Sequence, residues 1–343
     1  MKLSQMLMYS GNPREAADQV AALEKAGLDT VWVAEAYGFD SPTLMGYLAA
    51  KTDTIEIGAA ILNVYSRTPG ALAQTAAGLD NVSSGRAILG LGASGPQVIE
   101  GWHGLPYTKP LTRTQEVIDV VRMALRRERL EYAGRTVTLP LPADQGIGLG
   151  KPLKMLTKPE RSSIPIYVAA LGAKSVESTA AIADGWLPFL FVPELHDKVW
   201  GDALRAGAAR RSSDLGPLEI SAGGMVAVGE DVKGLLDLAR PMVALYVGGM
   251  GARGKNFYFD LACQYGFEEA ATKIQDLYLG GNKRDAEAKV PLEWLEAGNL
   301  VGPESYVKER LAAFQEAGVT TLSVVPASDD PAATISQIKE WVS

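Results

Sequence analysis

A strand that runs into a bare loop is the segment of this chain best suited to chemistry. Residues Ala87 to Leu91 are apolar or glycine, and Gly92, Ala93, Ser94 and Gly95 then carry almost no side chain. Such a loop lets a flat or phosphorylated ligand approach the backbone closely. Its glycine spacing departs from the dinucleotide fingerprint, and a tight strand-to-helix connection would read the same way. A second small-residue segment, Ala170 to Ser175, opens a helical pattern. Gly172, Ala173, Lys174 and Ser175 would lie where free N–H groups and the helix dipole attract an anion, or would form an ordinary cap. For proton transfer Glu35 is the first candidate, with Tyr37, Asp40 and His103 behind it. Glu35 equally suits a salt-bridged structural carboxylate, and His103, beside Trp102, suits a loop anchor.

Positioning these groups falls to a regular alternation. Short β-branched runs at 3–8, 30–34, 55–62, 87–91, 164–170, 185–190, 219–228 and 320–325 alternate with amphipathic helical stretches. The same grammar appears near both ends: a helix, a glycine fit for a left-handed cap (Gly27, Gly318), and a strand within a few residues. Eight such units predict an α/β fold of the (β/α)8 TIM-barrel type, with a doubly wound open sheet as the competing arrangement. The chain is expected to form a single domain with insertions at about 130–163, after the fourth strand, and 248–300, after the seventh strand–helix unit. Both could cover the barrel mouth or an oligomer contact. The first carries the basic run Lys151, Lys154, Lys158 and Arg161, and the second carries Arg253 and Lys255. These cations could steer an anionic ligand or simply form a solvated face.

Composition excludes several function classes. Of 343 residues, 47% are hydrophobic and 21% charged, ordinary values for a globular protein. A formal charge of −7 disfavours non-specific nucleic-acid binding. Only two histidines, His103 and His196, and one cysteine, Cys263, are present, so neither a disulfide nor a metal-ligand motif is expected. With no apolar run long enough for a bilayer and no signal-peptide pattern, the chain reads as cytoplasmic.

At the rim loops the chain resembles the luciferase-like flavin-dependent family, most closely its deazaflavin (coenzyme F420) branch. The matching segments are Val31 to Glu35, Gly58 to Leu62, Ala87 to Gln97, Ala169 to Ser175 and Ala183 to Trp186, in the family's order. The run Ser94 to Gly104 further resembles a subgroup of deazaflavin-dependent oxidoreductases. The resemblance implies hydride transfer between the deazaflavin C5 and a small organic substrate. It implies that Ala60-Ile61 forms a non-prolyl cis bulge behind the ring. Asn63, the Gly92–Gly95 backbone and Gln97 would face the ring's polar edge, and Leu171, Gly172, Ala173, Lys174 and Ser175 would hold the tail phosphate. A homodimer is the assembly it implies. Two departures matter: Ala36 stands where sugar-phosphate oxidisers and light emitters carry histidine, and Gly95 where the former carry glutamate. The alternatives are an FMN-dependent monooxygenase, a reductase of a one-carbon pterin carrier, and a member that only binds or stores cofactor.

Overall fold

In the computed structural model, which describes residues 1–9 and 11–343, the alternation closes on itself. The strands are β1 (Lys2–Leu7), β2 (Thr30–Val33), β3 (Glu56–Ala59), β4 (Ala87–Gly92), β5 (Ile166–Ala169), β6 (Gly185–Leu187), β7 (Glu219–Val228) and β8 (Thr321–Pro326). Every neighbouring pair is parallel, and β8 returns to β1 with Lys2 opposite Thr321. This is the closed (β/α)8 TIM barrel, not the open sheet.

Local sequence sets the helix starts. Asn12, Asp40, Thr68 and Asp330 each cap a helix by accepting a backbone N–H, and each of those helices has proline in its first turn. Gly27 ends the first helix at φ 105° and Gly318 ends the last but one at φ 83°, a region that favours glycine.

β7 is ten residues long, and while one edge pairs with β8, the other meets two partners. Its start pairs with β6 at Glu219 and Ile220, and its end pairs with a short extra strand, Leu300–Gly302. The chain therefore leaves β7 at the rim and returns to the same place. Inside the barrel, Trp32, Ile88, Tyr167 and Leu187 form one apolar cluster, with Trp32 and Tyr167 ring centroids 5.1 Å apart. The main core lies between the strands and the surrounding helices.

The first predicted insertion does not reach the mouth. Its hairpin, Tyr132–Ala133 against Thr138–Leu139, is tied to the helix Pro110–Leu125 through Glu116. Arg161 then grips fully buried Asp80 and the Ala87 carbonyl, at the end of β4 opposite the rim. Glu116 accepts the N–H groups of Arg135, Thr136 and Val137 at 2.6, 2.8 and 2.9 Å, and the Thr136 hydroxyl at 2.6 Å. Burial would raise its pKa, but these four donors prevail and hold the carboxyl below the usual range. A depressed folded pKa adds stability that is present above the unfolded value of about 4.3 and fades as pH falls through the folded one. Glu116→Gln should therefore lose about 1–3 kcal/mol in urea unfolding at pH 7, and the gap to the parent chain should close below about pH 4.

Candidate active site

At the C-terminal ends of the strands lies a cavity of about 630 Å³. Its floor is backbone and small side chains: Ala60 and Ile61 from the break after β3, Gly92 to Gly95 after β4, and Ala169 to Gly172 after β5. The Ala60–Ile61 peptide is cis, as the resemblance implied. A Cβ on Gly92 would stand 2.9 Å from Ile61 Cδ1, so a side chain there would have to displace the tip of Ile61. At Gly95 a Cβ would meet no atom within 4 Å. The rim there has room for a ligand's edge.

Most of the residues expected from the sequence meet at this one surface. Tyr37, Ala60, Ile61, Asn63, Gly92, Ala93, Ser94, Gly95, Gln97, Leu171, Gly172 and Ser175 all line the cavity. Gly172 starts the helix Ala173–Ile182 with no side-chain cap, and Ser175, Ser178 and Thr179 continue the same wall. Ala173 and Lys174 are exposed and stand outside the wall.

Glu35 is also outside it. Both its oxygens receive the Arg67 guanidinium, at 2.7 and 2.8 Å, and Oε2 also accepts the Ser41 N–H at 3.0 Å. Held by three fixed donors, this buried carboxylate positions the loop after β2 and the helix Ser41–Lys51. Removing its partner would leave an uncompensated buried charge, so Arg67→Ala should cost about 3–5 kcal/mol in equilibrium unfolding. Asp40 is likewise committed, to the Thr43 N–H and hydroxyl.

Asn63 explains His103. The Asn63 Oδ1 accepts the N–H groups of Tyr65 and Ser66, at 3.1 and 2.7 Å, which leaves Nδ2 to donate to His103 Nε2 at 3.2 Å. The imidazole thus anchors its loop through an accepting Nε2. Of the cations noted in the sequence, only Lys255 reaches the cavity. Arg253 pairs with Asp276, and the run from Lys151 to Arg161 lies elsewhere.

The facing wall was not legible beforehand. Met6, Met8 and Tyr9 come from β1 and the loop after it, Phe189 from the loop after β6, and Tyr246, Met250, Phe257 and Tyr258 from the long excursion after β7. Phe189 packs at 4.4 Å from Tyr246, which crosses Tyr258 edge-on at 4.7 Å. Buried Asn256 clamps the two tyrosine segments together. Its Nδ2 donates to the carbonyls of Tyr246 and Val247, and its Oδ1 accepts from the N–H groups of Tyr258 and Phe259. Burial pushes both phenols up, and the neighbouring Tyr9 adds to the effect, so Tyr246 and Tyr258 stay protonated donors. Burial likewise pushes Tyr107 up to about 12, and its hydroxyl donates to the Ser94 carbonyl, bracing the glycine loop. The only sequence signal for Tyr9 was its place just past a strand end, the same place Tyr37 has after β2.

The sequence profile of the luciferase-like monooxygenases matches residues 1–321. The chain belongs to that family. Among its relatives, a Mycobacterium tuberculosis protein named "Putative coenzyme F420-dependent oxidoreductase" is 39% identical over 96% of this chain and 96% of its own length. The 5,10-methylenetetrahydromethanopterin reductase of Archaeoglobus fulgidus is 26% identical, covering 88% of this chain and 86% of the reductase. Among solved structures, the coenzyme F420-dependent tetrahydromethanopterin reductase of Methanopyrus kandleri superposes with a TM-score of 0.81. It covers 99% of this chain and 97% of that one at 24% identity, a likeness of fold. Within this luciferase-like barrel, no carboxylate or imidazole lines the cavity among the described residues, and the hydroxyls of tyrosine, serine and threonine supply most of its proton-bearing groups. No helix among the described residues is long and apolar enough to cross a membrane.

Proposed function

We propose that this luciferase-like protein is a coenzyme F420-dependent oxidoreductase, built as one barrel domain with excursions at about 130–163 and 248–300. The observation that carries the reading is the bare floor of the cavity. Gly92 keeps bare backbone against Ile61, the Gly95 edge stands open, and the uncapped helix start at Gly172 borders the same space. A flat ring with an anionic tail fits those three features together, and the F420-dependent name of the relative that matches along the whole chain supports it.

When bound, the deazaflavin supplies a two-electron hydride donor or acceptor. The chain's own groups do the rest. The Ala60–Ile61 and Gly92–Gly95 backbone seats the ring, with Asn63 and Gln97 at its polar edge. Gly172, Leu171 and Ser175 meet the tail phosphate, with Ala173 contributing through its backbone N–H and Lys174 only as a nearby charge. The aromatic wall from the excursion after β7 excludes water. Tyr246 Oη donates a proton to the substrate oxygen with Tyr9 beside it, Tyr37 is the second donor, and Glu35 is a positioning residue.

Anaerobic titration with coenzyme F420 and with FMN tests the cofactor. F420 should bind at least about tenfold more tightly than FMN, a difference of about 1.4 kcal/mol. Tighter FMN binding would favour the monooxygenase alternative instead.

A further inference from the structure

The cavity opens through a ring of aromatic surface. Tyr9 follows β1, Tyr37 and Phe39 follow β2, Trp102 lies beyond β4, and Phe257 belongs to the excursion after β7. All five are exposed, Phe39 at 69% and Trp102 at 65%. A single exposed aromatic is unremarkable, but four from four loops at one cavity, with exposed Phe39 two residues beyond Tyr37, form a patch. Tyr37 and Trp102 already touch, with centroids 6.3 Å apart. Four of the five also line the cavity, so the patch continues inward and is not a separate face.

Charge is nearly missing from the same surface. Among the described residues, Lys255 is the one charged side chain on the cavity wall. With the helix start at Gly172 taken by the coenzyme's tail, a substrate bearing a phosphate or several carboxylates would need further cations to replace its lost hydration, and the rest of the wall offers Lys255 alone. An apolar body, by contrast, would cover aromatic surface that now faces water. Apart from Lys255, the polar groups on this side include the phenols of Tyr9, Tyr37, Tyr246 and Tyr258, neutral donors suited to a carbonyl or hydroxyl oxygen.

We infer that the substrate is an uncharged molecule with a large aromatic or alicyclic body and one carbonyl or hydroxyl oxygen. The oxygen meets Tyr246 and the body lies against the rim. This rests on the oxidoreductase reading above and adds the class of substrate. A protein partner would seat on a flat patch, whereas this one funnels into the cavity.

Calorimetric titration of the coenzyme-free full chain distinguishes the cases. The probes are 2-acetylnaphthalene, which is neutral, 2-naphthoate, which has the same rings and a charge, and glucose 6-phosphate. The neutral ketone should bind saturably, the carboxylate about tenfold or more weakly, and the sugar phosphate no more tightly than inorganic phosphate, which reports the coenzyme's own tail site. Combining Phe39→Ala with Trp102→Ala should weaken the ketone about tenfold, and Phe39→Ala alone, outside the cavity wall, should weaken it measurably if the double variant does not fold. Equal or tighter binding of either anion, or rim variants without effect, would overturn the inference. So would rim variants that dissociate an oligomer by light scattering while ketone affinity stays unchanged. Failure of coenzyme F420 to bind the unmodified chain would count against the oxidoreductase reading alone, since the ketone titration contains no coenzyme.

Discussion

Tyr246→Phe is expected to lower turnover about 100-fold or more while leaving the affinity for coenzyme F420 unchanged, because general-acid groups contribute on that scale. Phenylalanine keeps the packing with Phe189 and Tyr258 and removes only the hydroxyl, so the fold should be unaffected. Burial raises the Tyr246 phenol well above its ordinary value of about 10, so deprotonation of this acid should not limit turnover even at about pH 10. Glu35→Gln should show the opposite division. It weakens the Arg67 pair and thus thermal stability, with little change in rate per folded molecule. Single-turnover rates and unfolding curves on both variants decide the matter. Full activity in Tyr246→Phe together with a dead but folded Glu35→Gln would return the proton to the carboxylate.

Gly90→Ala should abolish soluble, folded protein. An added Cβ there would fall 1.7 Å from the Ala59 carbonyl oxygen, an atom held in the barrel's backbone with nowhere to retreat. Displacing that carbonyl moves the break between β3 and the two-residue strand Leu62–Asn63, and with it the cavity floor. Losses above about 4–5 kcal/mol are exceptional for one substitution, and a methyl group forced into fixed backbone is among their causes. Gly46→Ala provides the control. Gly46 lies within the helix Ser41–Lys51, and a Cβ meets nothing within 4 Å. That exchange should raise stability by about 0.5–1 kcal/mol. Expression yield and thermal melting of the pair provide the check, and a folded Gly90→Ala protein would disprove the proposed close approach.

The contrast between legible and illegible parts of the molecule follows from what each part depends on. Strand and helix order rests on short-range signals: the Asn12-Pro13, Thr68-Pro69 and Asp330-Pro331 starts, the glycine stops, and the apolar period. The structure keeps all eight strands, with β7 at 219–228 as expected and the others shifted, shortened or extended at their ends. The run expected at 55–62 is interrupted at Ala60–Ile61, where Ala59 turns its carbonyl toward Gly90. The helical stretch after β7 divides into a 3₁₀ segment (Lys233–Ala239), a short α-helix (Arg240–Ala244) and a wider π-turn (Leu245–Gly249), with Pro241 near the junction. The cofactor-side floor was readable because bare backbone must be written as glycine and alanine. The opposite wall was not. Tyr246 and Tyr258 face the cavity only because Asn256 bridges their segments, a tertiary choice without a local pattern.

The return of the chain to β7 has a consequence for how new specificities arise. Everything between Val228 and Leu300 departs from and rejoins the barrel at adjacent points, joined by the Gly229 N–H to Gly302 carbonyl bond at 2.9 Å. Tyr246, Lys255, Phe257 and Tyr258 all travel in this segment, whereas Gly92, Gly95 and Gly172 do not. Transplanting the segment from one such barrel to another should carry substrate preference across and leave the seat of the redox ring as it was.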